Sequence, residues 1–348
     1  MIKSLKDFVV TEKRVLVRCD FNVPVDEKGN ITDDFRIRKT IPTIKYLIDK
    51  KAKVVLMSHL DPDSTGVVDK KYNLDKVAER LTEYLNITIE KEDDCVGPEV
   101  EGVVNSLKPG QVLLLENLRF YKEETDGDAE FAKKLSFLGD IYVNEAFSVC
   151  HRNHASITGV PLLLPNCAGF LLESEIANLN KIMQSPEKPM ISIVGGTKVD
   201  TKSKFINKVS QVSDFVIVSG LIKKEVIEKK LQFDFPDKVI GPEDNLAAPD
   251  IDEKTIKMFT EKIMQAKTIL WNGPFGKFED ANYAKGTLAI AQATIDSKAF
   301  SVVGGGETVE FLEKQGMIDK FSHVSTGGGA MLLYLSGDKL PGIEVLKN

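Results

Sequence analysis

One pattern constrains this chain more than any other. Short apolar runs of strand length alternate with longer stretches of helical period. The runs are Arg14–Cys19, Lys53–Ser58, Val112–Glu116, Ile141–Asn144, Met190–Val194, Phe215–Val218, Thr268–Trp271 and Phe300–Val303. Between them lie Leu74–Leu85, Ala129–Leu138, Thr255–Gln265, Tyr283–Ile295 and Thr308–Gln315, each with apolar residues at helical spacing. Such alternation predicts an α/β fold with parallel sheets covered by helices on both faces. At 348 residues there is room for about two domains. A long helical stretch, Glu173–Met183, is followed by Ser185-Pro186-Glu187-Lys188-Pro189, which reads as a junction. The expected organisation is a first domain at 1–172, a helix and linker at 173–186, and a second domain at 187–335.

Several function classes are disfavoured. The most apolar stretch, Gly159–Leu172, is broken by Pro161, Pro165 and Asn166, so no membrane span is expected. The start has no apolar core of signal-peptide length, and Cys19, Cys95, Cys150 and Cys167 share no CxxC spacing. Reduced thiols in a cytoplasmic protein are the expectation. The net charge of −6 argues against nucleic-acid binding. Yet all seven arginines fall within the first 152 residues, a placement with a chance of roughly 0.3%, and guanidinium is the preferred fork for phosphate and carboxylate. That points the first half toward a small anionic ligand. Arg14, Arg38 and Arg80 are expected to be solvated surface residues instead.

The polar residues gather after the strands, where open α/β sheets bind ligands. In the first half these are Asp20-Phe21-Asn22, Ser58-His59-Leu60, Glu116-Asn117-Leu118-Arg119, Asn144-Glu145-Ala146-Phe147 and His151-Arg152-Asn153-His154. Arg36, opening a helix, and Arg119 and Arg152 would make a cationic surface. His151-x-x-His154 lacks a third ligand at a known spacing, so hydrogen bonding outweighs metal binding. The second half carries Gly195-Gly196-Thr197-Lys198, Trp271-Asn272-Gly273-Pro274, Gly304-Gly305-Gly306-Glu307-Thr308 and Ser325-Thr326-Gly327-Gly328-Gly329. Glycine turns at helix starts let phosphate oxygens approach backbone N–H groups. Lys198 and Lys202, four apart, share a helix face. Glu307 either holds Mg²⁺ with phosphate oxygens or complements the helix dipole. No P-loop or dinucleotide fingerprint is present, which opposes a dehydrogenase.

Ten segments in order resemble the phosphoglycerate kinases: Val15–Pro24, Ile31–Arg38, Val54–Leu60, Val112–Phe120, Tyr142–Ser156, Gly195–Val199, Trp271–Glu279, Ala284–Thr287, Val302–Thr308 and His323–Ala330. The resemblance implies two Rossmann-like domains joined by a hinge. It implies transfer of a phosphoryl group between 1,3-bisphosphoglycerate and Mg-ADP, giving 3-phosphoglycerate and Mg-ATP. Asp20, Asn22, Arg36, His59, Arg119 and Arg152 then match the acid site, with Arg18, His151 and His154 in its basic patch. Lys198 and Lys202 match the lysines facing the transferred group, so Arg36, Lys198 and Lys202 are the catalytic candidates. Asn272, Pro274 and Glu279 match nucleoside contacts. Gly304, Gly305, Gly306 and Thr308 match the phosphate-binding helix start, with Glu307 as the Mg²⁺ carboxylate. Ser325, Thr326, Gly327, Gly328 and Gly329 match a segment tied to closure. The tail, 336–348, would pack on the first domain. Small-molecule substrates, no nucleic acid or membrane partner and a monomer are implied.

The chain departs from that pattern in places. The HLGRP loop reads His59-Leu60-Asp61-Pro62-Asp63, without its arginine. The triple glycine after Phe215–Val218 reads Val218-Ser219-Gly220, and several dozen residues before Asp250 are absent. The adenine loop reads Ala248-Pro249-Asp250-Ile251-Asp252-Glu253. Thr201 stands between the lysines for aspartate, Glu307 replaces the magnesium aspartate, and Met331 and Leu333 replace polar positions. Altered nucleoside selection is therefore expected before lost chemistry. The alternative is a catalytically weak paralogue that binds phosphoglycerate or a protein partner.

Overall fold

The computed structural model describes residues 2–60, 65–196 and 199–347. It contains two compact units: Met1–Glu175 with Lys339–Asn348, and Ile176–Asp338. Each is a six-stranded parallel sheet with helices.

The first unit holds β1 (Arg14–Arg18), β2 (Lys53–Met57), β3 (Glu90–Lys91), β4 (Val112–Leu114), β5 (Ile141–Asn144) and β6 (Asn166–Ala168), ordered β3-β4-β2-β1-β5-β6. Its helices are α1 (Phe35–Asp49), α2 (Asp75–Leu85), α3 (Pro98–Ser106), α4 (Lys122–Asp126) and α5 (Ala129–Ser136). The central strands are buried almost end to end, as strands covered on both faces must be. Their apolar side chains meet Ile37, Ile44 and Leu47 of α1 and Val77 and Leu81 of α2. Helix α6 (Phe170–Gln184) begins in this unit and ends in the next. Its first turn is fixed by the wholly buried Glu145, whose Oε2 accepts from Leu171 N at 2.9 Å and Leu172 N at 3.3 Å; Thr43 of α1 donates its hydroxyl to Oε1. Burial pushes the Glu145 carboxyl up to about 8.

The second unit holds β7 (Met190–Val194), β8 (Phe215–Val218), β9 (Val239–Ile240), β10 (Thr268–Asn272), β11 (Phe300–Gly304) and β12 (His323–Val324), ordered β12-β11-β10-β7-β8-β9. Its further helices are α7 (Val199–Ser210), α8 (Gly220–Glu228), α9 (Glu253–Ile263), α10 (Lys285–Asp296), α11 (Gly306–Lys314) and α12 (Gly328–Leu335). The tail forms a short helix, α13 (Pro341–Glu344), against the first unit: Gly342 N donates to Cys150 O at 2.8 Å, and Asn144 Nδ2 reaches Gly342 O. All four cysteines are free and buried. Among the described residues no helix is long and apolar enough to cross a membrane.

Candidate active site

In the first sheet, β2 and β5 flank β1 on opposite sides. The strand order therefore reverses beside β1, and ligands of open α/β sheets bind at that switch point. Asp20 and Asn22 follow β1 there. Asp20 Oδ1 accepts from Asn22 N at 3.0 Å, while Oδ2 accepts from Ser148 Oγ and lies 3.1 Å from Arg36 Nη1. The same Nη1 donates to Asn22 O at 2.9 Å. Arg36, at the opening of α1, is thus aimed by two fixed acceptors through one nitrogen, and its fork keeps further donors for a ligand.

His59 follows β2 and is buried. Asn117 shapes its loop and the next: Leu60 N and Arg119 N both donate to Asn117 Oδ1, at 3.2 and 3.0 Å, and Asn117 Nδ2 donates to Leu60 O at 2.8 Å. Arg119 is nearly buried, and desolvation, then Arg18, lowers its proton affinity. Arg152 is exposed, His151 half-buried and His154 buried. Burial, then Arg152, lowers the pKa of His151; burial, then Arg119 and Arg18, pushes that of His154 down to about 3. The arginines Arg36, Arg119 and Arg152, with neutral histidines beside them, make the electrostatics of an anion receptor.

Two expectations need correction. Arg18 does not reach a ligand surface: it is wholly buried beside Glu124 and Ser156. Arg14, Arg38 and Arg80 are not merely solvated. Arg14 pairs with Asp140 at 2.7 Å, and Arg38 and Arg80 both hold Asp34, at 2.8 and 2.7 Å. Asp61, Pro62 and Asp63 of the altered loop lie outside the described residues.

In the second sheet, β8 and β10 flank β7, so this switch point falls between the loops after β7 and β10. Those loops are Gly195-Gly196 and Gly273-Pro274. Gly195 N donates to Asn272 O at 2.9 Å, and Gly196 N to Pro274 O at 2.8 Å. A Cβ on Gly195 would stand 2.1 Å from Pro274 O, so the approach requires glycine. Lys202 donates to Gly195 O, and burial lowers its pKa, partly offset by Glu307. Lys198 lies outside the described residues.

Gly304 ends β11, Gly305 precedes α11 with φ +103°, and Gly306 opens the helix. Thr308 Oγ1 accepts from Gly273 N at 3.0 Å, tying α11 to the β10 loop. Beside Gly305 lies the buried Asn272 amide, whose Nδ2 has no hydrogen-bond partner among the described residues. An unmet buried donor costs about 1–3 kcal/mol. A donor left so beside a helix N-terminus suits an anionic ligand. Glu307 is exposed in the first turn of α11. Ser325 Oγ accepts from Gly327 N, Ser325 packs on Gly304, and Gly328 packs against Gly305 and Gly306 N, so Ser325 and Gly328 adjoin the same turn, while Thr326 is buried and Gly329 is exposed. Met331 packs on Gly304.

Next to these turns is a cavity of about 390 Å³ lined by Ser219, Leu246, Asp250, Pro274, Phe278 and Glu279 among others. The shortened segment therefore still builds a wall. Asp250 Oδ2 accepts from Gly286 N at 2.9 Å, and Lys277 N donates to Pro249 O at 2.8 Å. Ser219 Oγ donates to Gly196 O at 2.7 Å and accepts from Ile222 N, linking the glycine turn to the wall. The positioning roles of Ser219, Asp250 and Glu145 escape the sequence reading. Only Ser219 carries a local sign, a helix N-cap before an apolar run. Among the described residues no group of three or more His, Cys, Asp or Glu could hold a metal ion, while the single exposed Glu307 suits a cation that arrives with phosphates.

The family profile described as phosphoglycerate kinase matches residues 5–232 and 229–338. The phosphoglycerate kinase of Dictyoglomus turgidum is 44% identical over 393 aligned positions, covering 100% of this chain and 98% of the relative. That of Borrelia hermsii is 42% identical over 391 positions, covering 99% of each. Of solved structures, the phosphoglycerate kinase of Pyrococcus horikoshii superposes with a TM-score of 0.88 at 31% identity, covering 100% of this chain and 98% of that one. The Coxiella burnetii enzyme gives 0.83 at 32%, covering 100% and 99%.

Proposed function

The chain belongs to the phosphoglycerate kinase family and is a phosphotransferase; on that premise we propose that it moves a phosphoryl group between 1,3-bisphosphoglycerate and Mg-ADP, with the acid held by the first unit and the nucleotide by the second. One observation carries the reading. Each sheet presents an anion-suited surface at its own switch point: arginines in the first unit, and glycine turns with Lys202 and the unmet Asn272 amide in the second.

Phosphoryl transfer asks the protein for positioning and charge stabilisation rather than for a nucleophile. In the ATP-forming direction, a terminal oxygen of ADP bonds to the acyl phosphorus while the bond from phosphorus to the carboxylate oxygen breaks. The acid is released as 3-phosphoglycerate. Asp20 and Asn22 O hold Arg36 toward the acid, with His59, Arg119 and Arg152 around it. Gly305, Gly306 and Asn272 receive the nucleotide phosphates, and Lys202 with Lys198 neutralises the group in flight. Mg²⁺ enters as part of the nucleotide substrate, with Glu307 placed to complete its coordination; it supplies charge neutralisation. Ser325–Gly329 takes part in closure, which brings donor and acceptor in line in a cleft that excludes water.

The formed cavity supports a working nucleotide site over a weak paralogue. A coupled assay with 3-phosphoglycerate and a panel of Mg-nucleoside triphosphates tests the reading. Saturable turnover with at least one nucleotide is expected. Folded protein inert with all of them would refute it.

A further inference from the structure

We propose that Arg18 is a positioning residue rather than a ligand contact: it fixes His59 as a neutral imidazole with its proton on Nε2, so that His59 meets the acid as a hydrogen-bond donor. The proposal rests on the reading of His59 as part of the acid site.

The geometry leaves Arg18 no other outlet. It is wholly buried on β1, and three of its nitrogens are spent inside the protein. Nε donates to Ser156 Oγ at 2.7 Å, Nη1 to Cys19 O at 2.5 Å, and Nη2 lies 3.3 Å from His59 Nδ1. A guanidinium has no acceptor and keeps its protons. The hydrogen between Nη2 and Nδ1 is therefore arginine's, and Nδ1 presents its lone pair. A neutral imidazole with an acceptor at Nδ1 carries N–H at Nε2. The other tautomer would set N–H against N–H in a buried place. Nε2 itself engages no described residue.

Arg18 is fixed from behind. Glu124 of α4 is wholly buried, 3.6 Å from Nη2. Its Oε1 accepts from Ser156 Oγ at 2.6 Å and its Oε2 from Ser156 N at 2.9 Å. Ser156 belongs to a π-helical turn, Ala155–Gly159, a rare element enriched at functional sites. The turn thus places one hydroxyl to link the cation to its counter-ion. The charged and titratable groups acting most strongly on His59 are Arg18 from β1, Arg36 from α1, Arg119 from the loop after β4, and His154; behind them lie the acids Glu124, paired with Arg18, and Asp20, paired with Arg36. Each of the four strongest opposes a second proton on the ring, as does its burial. Removing Arg18 alone would strand Glu124, so the decisive measurement leaves that pair intact.

The test is ¹⁵N NMR on the full chain labelled in its four histidines, with His59 assigned by the His59→Gln variant. The expected spectrum shows His59 unprotonated at Nδ1 and protonated at Nε2, unchanged from about pH 5.5 to 8, the range in which free imidazole titrates. Kinetics give a second readout. Glutamine can place a donor near the Nε2 position, and His59→Gln should keep KM for 3-phosphoglycerate within about threefold, whereas His59→Asn, whose amide sits nearer Nδ1, should raise it at least about tenfold. A proton on Nδ1, titration within that pH range, or asparagine outperforming glutamine would overturn the proposal. If wild-type protein shows no turnover, the acid-site reading falls by itself, and the spectrum still decides the tautomer.

Discussion

Gly195→Ala tests how tightly the two loops at the second switch point are packed. The added Cβ would stand 2.1 Å from Pro274 O and 2.2 Å from Gly273 O. Both neighbours are backbone, so no side chain can swing away. Restoring an ordinary 3.4 Å contact means parting the loops by 1.3 Å, the difference between 3.4 and 2.1. That breaks Gly195 N to Asn272 O and Gly196 N to Pro274 O. Two net hydrogen bonds at about 1 kcal/mol each, with overpacking of about 1–3 kcal/mol, give a loss of about 3–5 kcal/mol. Trp271 is the chain's one tryptophan, and its Nε1 donates to Gly273 O at 2.9 Å, so its fluorescence reports this loop directly. In urea the Trp271 transition should fall by about 1–2 M, and KM for the nucleotide should rise at least about tenfold. Gly306→Ala is the control. Nothing lies within 4 Å of its Cβ position at the start of α11, so its stability should stay within about 1 kcal/mol of wild type. A Gly195→Ala protein within about 1 kcal/mol of wild type, with unchanged nucleotide KM, would refute the packing argument.

Other outcomes follow from the same contacts. Asp250→Ala frees the cavity wall from Gly286 N and should raise the nucleotide KM by about three- to tenfold while leaving that for 3-phosphoglycerate unchanged; equal changes in both would contradict it. Gly169→Ala drives a Cβ to 2.1 Å from Glu145 Oε1 in a buried clamp and should cost about 2–4 kcal/mol in chemical denaturation; a neutral effect would contradict that packing. Glu145 also predicts a pH dependence. Its folded pKa, about 8, lies above the ordinary 4.5, so the folded state binds the proton more tightly and this group's contribution falls as pH rises between the two. Glu145→Gln should flatten the loss of stability between about pH 6.5 and 8; an unchanged slope would contradict it.

How far the fold could be read from residues depended on position in the sheet. The eight apolar runs became the eight inner strands because strands covered on both faces must be apolar throughout. The four unread strands, Glu90–Lys91, Asn166–Ala168, Val239–Ile240 and His323–Val324, are the four edges, two or three residues long, too short to show a period. Function followed a similar divide. Loop residues such as Asp20, Arg36, Gly195 and Asn272 announce themselves by type and place. Arg18 does not, because its sequence motif is silent about burial, and only the fold turns its fork inward on Ser156 and Glu124. The hold of Glu145 on α6 was equally hidden, since it joins residues 26 apart in sequence.

The division of labour between the units is tested most directly by calorimetry of Arg36→Ala against each ligand alone. Arg36 contacts Asp20 and Asn22 in the first unit, whereas the glycine turns and cavity lie in the second. Losing a charged fork should weaken 3-phosphoglycerate binding by about 1.5–3 kcal/mol, or about 10- to 150-fold, and leave Mg-ADP affinity within about twofold. Equal weakening of both ligands, or none for the acid, would contradict the assignment.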